Sequence, residues 1–295
     1  MSHRELFDAE AVSQTAPGSF AKKLADSGFP VLSAALLGII VLLCMGAELI
    51  MTKDPSYMHL ESIHQPPCRE FIFGTDSMGR DIFSALWYGG RISVLIGVLS
   101  AVISALIAVL YGAAADVAPS GIDTAMMRLA DILLSIPSLL AVLFLQAILG
   151  RADVLSLSFV IGVTSWPAIA KVVRSEVRRL QSCEYVIASR CMGGGFFHIL
   201  KMHFLPNLLP TVMFMVVMNI RGAIVAESTL SFLGLGLPLD VISWGSMLSL
   251  AEKSLLASGW WAIVIPGVFL ITLLMCITNI GNWLRKSFSA GENNV

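Results

Sequence analysis

Six apolar runs leave this chain few folds to choose from. Phe29 to Ile50, Ile92 to Ala115, Met126 to Gly150, Val154 to Ala170, Thr211 to Leu233 and Ala262 to Ile280 are each close to the length of helix, about 20 residues, that crosses a hydrocarbon core of roughly 30 Å. In lipid, backbone polar groups must bond within the protein, so runs of this length read as helices. Composition agrees. The 295 residues are 56% hydrophobic and 13% charged, with mean hydropathy +0.82, too little charge for the surface of a water-soluble protein of this size. The net charge of -1 says little, because the charges are segregated along the chain. The five cysteines form no C-x-x-C pair, and only Cys68 is placed toward an oxidising compartment, so no intramolecular disulfide is expected. The fold class is an all-α polytopic membrane protein with six transmembrane helices.

In chain order, residues 1–28 read as a polar cytoplasmic tail and 29–51 as a first, uncleaved transmembrane helix. Residues 52–91 form an extracytoplasmic loop that ends in an amphipathic stretch, Asp81 to Tyr88, suited to an interfacial helix. Residues 92–284 make up the membrane core, and 285–295 a second cytoplasmic tail. Small residues recur at helical spacing in the second span (Gly97, Ser100, Ala101, Ser104, Ala105, Ala108), as at tightly packed membrane helices. At the start of the third, Arg128 and Asp131 stand at i and i+3, close enough to pair, and Pro137 should kink the helix. Span five carries the expensive residues Asn219, Arg221 and Glu227. An arginine at mid-bilayer costs about 2.5–3.5 kcal/mol, so it should face protein or water. Arg221 and Glu227 lie about 240° apart around a helix, so each must meet its own partner or the translocation pathway. Trp260-Trp261 reads as an aromatic anchor ahead of span six.

The basic stretch 171–210 separates spans four and five and holds Lys171, Arg174, Arg178, Arg179, Arg190 and Lys201. It reads as two short helices, Glu176 to Met192 and Phe196 to Leu205, around a Gly193-Gly194-Gly195 hinge, with Pro206 as the stop. With Lys22, Lys23, Arg285 and Lys286 it gathers most of the cations on one side, whereas the short turns opposite carry only Arg151 and Lys253. The long loop opposite has four basic residues, but the positive-inside rule is weaker for long loops. The rule then places both termini and the basic stretch in the cytoplasm.

Four separated motifs carry a family resemblance. Glu184-Tyr185-Val186, Ala188-Ser189-Arg190, Gly193, Ile199, His203 and Leu205-Pro206-Asn207 resemble the EAA loop of bacterial ABC importer permeases. The pattern is nearest to the dipeptide/oligopeptide/nickel branch and to the C-type permease of its pair. Phe73-Gly74-Thr75-Asp76, Gly79-Arg80-Asp81, Ser84 and Tyr88-Gly89 resemble the same family's approach to its second helix, and Met127, Arg128, Asp131, Ile136 and Pro137 its third-helix run. Glu227, Leu230-Ser231-Phe232-Leu233-Gly234 and Trp244-Gly245 resemble its outer motif. Ser189, Gly195, Ala85, Gly90, Leu239 to Val241, Asn282 and Trp283 depart from the pattern.

The resemblance implies a type I ABC importer permease in the bacterial plasma membrane. It would pair with a second homologous permease, two cytoplasmic ATP-binding subunits and an extracytoplasmic substrate-binding protein. Glu184, Tyr185, Ala188, Ser189, Arg190, Gly193 and Pro206 would belong to the ATPase-coupling element, and Gly74, Asp76, Gly79, Arg80, Asp81, Arg128, Asp131 and Pro137 would be structural. The cargo implied is a di- or oligopeptide, or else nickel or another metal chelate. No GxxxxGKS/T phosphate loop occurs, so ATP would be used by the partners, and the chain is expected to bind no cofactor, no metal and no nucleic acid. His59, His64 and Cys68 are irregularly spaced and weak as metal ligands. A secondary transporter working alone would call for an inverted repeat, which the sequence lacks. An intramembrane enzyme would need more than Arg221 with Glu227.

Overall fold

The computed structural model describes residues 30–150, 152–255 and 259–292. The expectations placed on the N-terminal tail, on Phe29 as the start of the first span, on Lys22 and Lys23, and on Arg151 lie outside them, as does the Lys253 side chain. A first apolar helix, α1 (Val31–Met45), is followed by the short α2 (Ala47–Ile50). The axis of the fold is α3 (Ile82–Val117), a helix of 36 residues, about 54 Å at 1.5 Å per residue. Asp81 caps it, accepting from the Ser84 amide at 3.0 Å and the Ser84 hydroxyl at 2.6 Å. The interfacial helix expected over Asp81 to Tyr88 is therefore not a separate element. It forms the first turns of α3, and Ile82, Ala85, Leu86 and Trp87 are buried there rather than lying on a membrane surface.

After Pro119 come α4 (Ser120–Ser135) and α5 (Ser138–Leu149), bent by 93° at Pro137. The break is sharper than a kink, because the residue before proline is driven out of the helical region and Ile136 is extended at φ -84°, ψ 128°. α6 (Val154–Gln181) starts from a capping box between Asp153 and Ser156 and packs along α3. The two backbones approach closely enough that a Cβ on Gly112 would lie 2.5 Å from the Ala170 carbonyl oxygen, and one on Gly162 2.8 Å from the Ile103 side chain. The small-residue stripe of α3 is thus a helix seam.

Beyond α6 the chain departs from the expected pair of helices. α6 runs straight through Pro167 to Gln181, because Trp166 is buried against Tyr111 (centroids 4.4 Å apart) and packing outweighs one lost backbone bond. The next helix, α7, is only Glu184–Cys191. α8 (Phe196–Ile199) passes through a wide π turn, Leu200–Phe204, into α9 (Leu205–Phe232). Pro206 does not stop the helix. It sits in the first turn of α9, where the wider turn before it relieves the clash of its ring. Asn207 helps by donating its side-chain amide to the His203 carbonyl at 2.7 Å. α10 (Trp244–Leu255) and α11 (Trp261–Glu292) complete the described chain. Among the described residues, four helices are long and apolar enough to cross a membrane, five if the α4–α5 pair is one span; α1 is apolar but shorter.

Candidate functional site

The basic stretch is not a free cationic surface. Arg174 makes two bonds to Asp123, one of them Nε to Oδ1 at 2.6 Å, and Arg178 reaches Asp116 at 2.8 Å and Asp123 at 3.1 Å. Lys171 pairs with Asp131, and Arg179 with Glu176 at 2.9 Å. Gln181 adds a bond to Asp116 at 2.6 Å. Apart from Glu176 on α6 itself, the carboxylates come from the end of α3 and from α4, so the extension of α6 is clamped to the corner between them. The expected Arg128–Asp131 pair is replaced, because Lys171 on α6 reaches Asp131. Asp123 is nearly buried and serves two guanidinium groups, which decides its weight. Asp123→Ala is expected to cost about 2 kcal/mol, since it strands Arg174 and leaves Arg178 only Asp116. A thermal melt of the purified protein checks this, and an unchanged midpoint would remove the clamp.

At the tip of this stalk sits α7. Val186 and Ser189 face inward, and Glu184, Tyr185, Ile187, Ala188 and Arg190 face out. Val186 joins Val177, Leu180, Ile199 and Phe204 in one apolar cluster, and the Tyr185 ring lies 5.6 Å from that of His203. The helix ends in a Schellman motif, with Gly194 N–H donating to the Ser189 carbonyl and Gly193 N–H to that of Arg190, both at 2.9 Å. That closure requires a left-handed residue, and Gly193 has φ +87°. The glycine triplet is therefore a fixed cap and not a loose hinge. Around α7 the hairpin exposes Ile187 (49%), Met192 (82%), Phe197 (75%) and Met202 (65%), an apolar surface that a reading centred on charge overlooked. Its sequence signal was four large apolar residues in a segment otherwise rich in polar ones.

At the opposite end of α3, the loop residues form a knot. Asp76 Oδ1 accepts from the amides of Met78 and Arg80, both at 2.8 Å; burial pushes its carboxyl up and these donors pull it back. Gly74 and Gly79 supply positive φ on either side. Arg80 donates to the Leu239 carbonyl at 3.2 Å, Ser77 to that of Leu250 at 3.2 Å, and Trp261 Nε1 to that of Thr75 at 3.3 Å. The loop is thereby tied to α10 and α11, and Trp261 is buried beneath it instead of anchoring at an interface. His59 packs against Tyr57 and Phe71, and Cys68 accepts from the Phe71 amide. Among the described residues, no three His, Cys, Asp or Glu side chains come together as metal ligands would.

The span-five residues part company. Asn219 donates to Ser104 on α3 at 2.8 Å. Glu227 is fully buried and accepts from four serines: Ser93 at 3.1 Å, Ser228 at 3.3 Å, Ser231 at 3.0 Å and Ser243 at 2.7 Å. Three of those hydroxyls also accept backbone amides: Ser93 from Trp244, Ser231 from Leu237 and Ser243 from Ser246. Glu227 is thus the node that fastens the start of α10 to α3 and α9, a structural role that its position alone did not reveal. Among the described residues no such partner reaches Arg221, which lines an open groove between α9 and α11.

Comparison with known proteins finds a family and a set of relatives. Residues 109–289 match the family model "Binding-protein-dependent transport system inner membrane component". The dipeptide transport system permease protein DppC of Bacillus subtilis (strain 168) is 36% identical over 222 residues, 75% of this chain and 69% of that protein. The oligopeptide transport system permease protein OppC of the same organism is 33% identical over 85% of this chain and 82% of its own. Di/tripeptide transport system permease protein DppC of Pseudomonas aeruginosa (strain UCBPP-PA14) is 32% identical over 87% and 86%. In fold, a chain of the MetNI methionine ABC transporter in inward-facing conformations superposes with TM-score 0.54 over 68% of this chain and 95% of that one, at 17% identity. With helices of membrane-spanning length, an exposed capped helix on a clamped stalk and these relatives, the chain belongs to the family of binding-protein-dependent transport system inner membrane components, as a multi-pass permease.

Proposed function

We propose that the chain is one of two membrane permeases of an ATP-driven importer of di- and oligopeptides, and that α7 is its coupling helix. Six spans would then be α1, α3, the α4–α5 pair, α6, α9 and α11, with both termini and the α7 hairpin cytoplasmic and the knotted loop and α10 outside. Two ATP-binding subunits would receive α7, a second permease would complete the pathway, and an extracytoplasmic binding protein would deliver the cargo. The peptide assignment rests on the names of the relatives. The coupling assignment rests on one observation: a short exposed helix, with Ile187, Met192, Phe197 and Met202 open around it, stands on a stalk held by the Asp116–Asp123–Arg174–Arg178 cluster. Movement imposed on α7 would pass through that clamp to α3, α4 and α6 together. Such transmission drives transport only if the ATP-binding subunits hold α7 differently in their two states.

The reading is tested by co-expression. The chain should co-purify with the ATP-binding subunits encoded beside it and hydrolyse no ATP when purified alone. ATP hydrolysis by the isolated chain, or no association with such subunits, contradicts it.

A further inference from the structure

We propose that Arg221, with Asn279, forms a carboxylate-binding site between α9 and α11 that receives the free C-terminal carboxylate of a peptide in transit. The inference rests on the peptide-permease reading above and adds what part of the cargo is recognised, and where.

The site is an open groove of about 440 Å³ lined by Arg221, Ile271, Leu274, Met275, Thr278 and Asn279, with Ile271 and Met275 exposed along it. It is deep in the span: Arg221 is roughly 24 Å along α9 from Leu205 at 1.5 Å per residue. Arg221 is half-buried, its Nε is buried without a hydrogen-bond partner, and none of the ion pairs among the described residues involves it. The other cations of the interior ends are treated differently: Lys171, Arg174 and Arg178 all have carboxylates. A guanidinium kept at this depth without a counterion is poised for an anion from elsewhere, and its planar fork suits a carboxylate.

One neighbour can add a donor to that anion. Asn279 places one amide N–H on Ser33 at 3.0 Å and has a second for the carboxylate, whereas Thr278 spends its proton on the Leu274 carbonyl at 2.6 Å and only lines the rim. Beside Arg221, a Cβ on Gly222 would meet nothing within 4 Å, so the guanidinium is approached over an open backbone. The rest of the lining, Ile271, Leu274 and Met275, is apolar and partly adaptable, methionine being the side chain that best reshapes around variable groups. One fixed charge beside an adaptable apolar wall recognises what peptides share, a terminal carboxylate, while tolerating side chains that differ.

The test uses proteoliposomes holding the complete importer, with trialanine and trialanine amide as cargo. Arg221→Gln should lower trialanine uptake roughly tenfold, the scale of one charge-assisted hydrogen bond, with ATP hydrolysis stimulated by the binding protein unchanged. It should also narrow the preference for trialanine over its amide, a change that the binding protein, identical in both preparations, cannot produce. Arg221→Lys, which keeps the charge and loses the planar fork, should restore only part of the uptake. Should Arg221→Gln assemble poorly, Asn279→Leu gives the second reading, with the same narrowing expected. An unchanged preference overturns the proposal. So does a fall in uptake that comes with lost ATP hydrolysis or lost co-purification of the second permease, because Arg221 then pairs with an acidic residue of that partner. Failure of the unmodified importer to move trialanine at all overturns the peptide reading itself.

Discussion

A chain carrying Gly193→Asp is expected to reach the membrane at normal levels and to lose uptake. Gly193 closes the Schellman motif of α7 at φ +87°, and a Cβ there would meet nothing within 4 Å. The substitution therefore costs about 1 kcal/mol of backbone strain and nothing in packing, too little to unfold the protein. Its effect falls on the docking face. A carboxylate would stand at the C-terminal end of α7, where the helix dipole is already negative, next to Ile187 and Met192. Loss of a coupling energy of about 3 kcal/mol would lower uptake roughly a hundredfold. Gly193→Asn, which tolerates the same backbone region without the charge, should retain most of the activity. Uptake normalised to the amount of chain in the membrane is the measurement. Full uptake by a well-expressed Asp variant would falsify the coupling assignment for α7.

The second large effect is expected at Glu227, and there stability changes first. Replacing a buried ion pair by apolar residues is often harmless, but here only the acceptor would go while four hydroxyls stay behind. Within α9, Ser228 and Ser231 can fall back on carbonyls one turn earlier, and Ser93 can do so within α3. Ser243 has no such turn behind it, because it precedes α10. Glu227→Leu should thus cost about 3 kcal/mol and release chiefly the start of α10. For a chain of this size that is a fall of roughly 10 °C in melting midpoint. Glu227→Gln, which still accepts on one atom and donates on the other, should lose less than half as much. Limited proteolysis should cut the 234–243 segment faster in the Leu variant. A Leu variant as stable and as resistant as the original would show that the serines do not depend on the carboxylate.

The two sites were not equally legible. Gly193 could be picked out in the chain because a left-handed helix cap is a local demand, set by a few consecutive residues. Glu227 stood out only as an expense in an apolar run. Its serine partners come from positions 93, 228, 231 and 243, and no local rule brings Ser93 and Ser243 to the same carboxylate. Pro206 was misleading for the same reason. Proline does weaken a helix locally, yet the π turn before Pro206 carries the helix past it.

The sequence by itself determined that this chain is a bundle of apolar helices with a basic hairpin at one end. Hydrophobic length and local cap chemistry act over one helix or one turn, and they need no knowledge of neighbours. Only the tertiary structure decided what the charges do. It gave Asp131 to Lys171 instead of Arg128, spent Arg174 and Arg178 on a clamp, made Glu227 a node and left Arg221 without a counterion among the described residues. The physical reason is that a charge inside a membrane protein is satisfied by whichever helix packing brings within about 3 Å, and sequence spacing does not encode which helix that is.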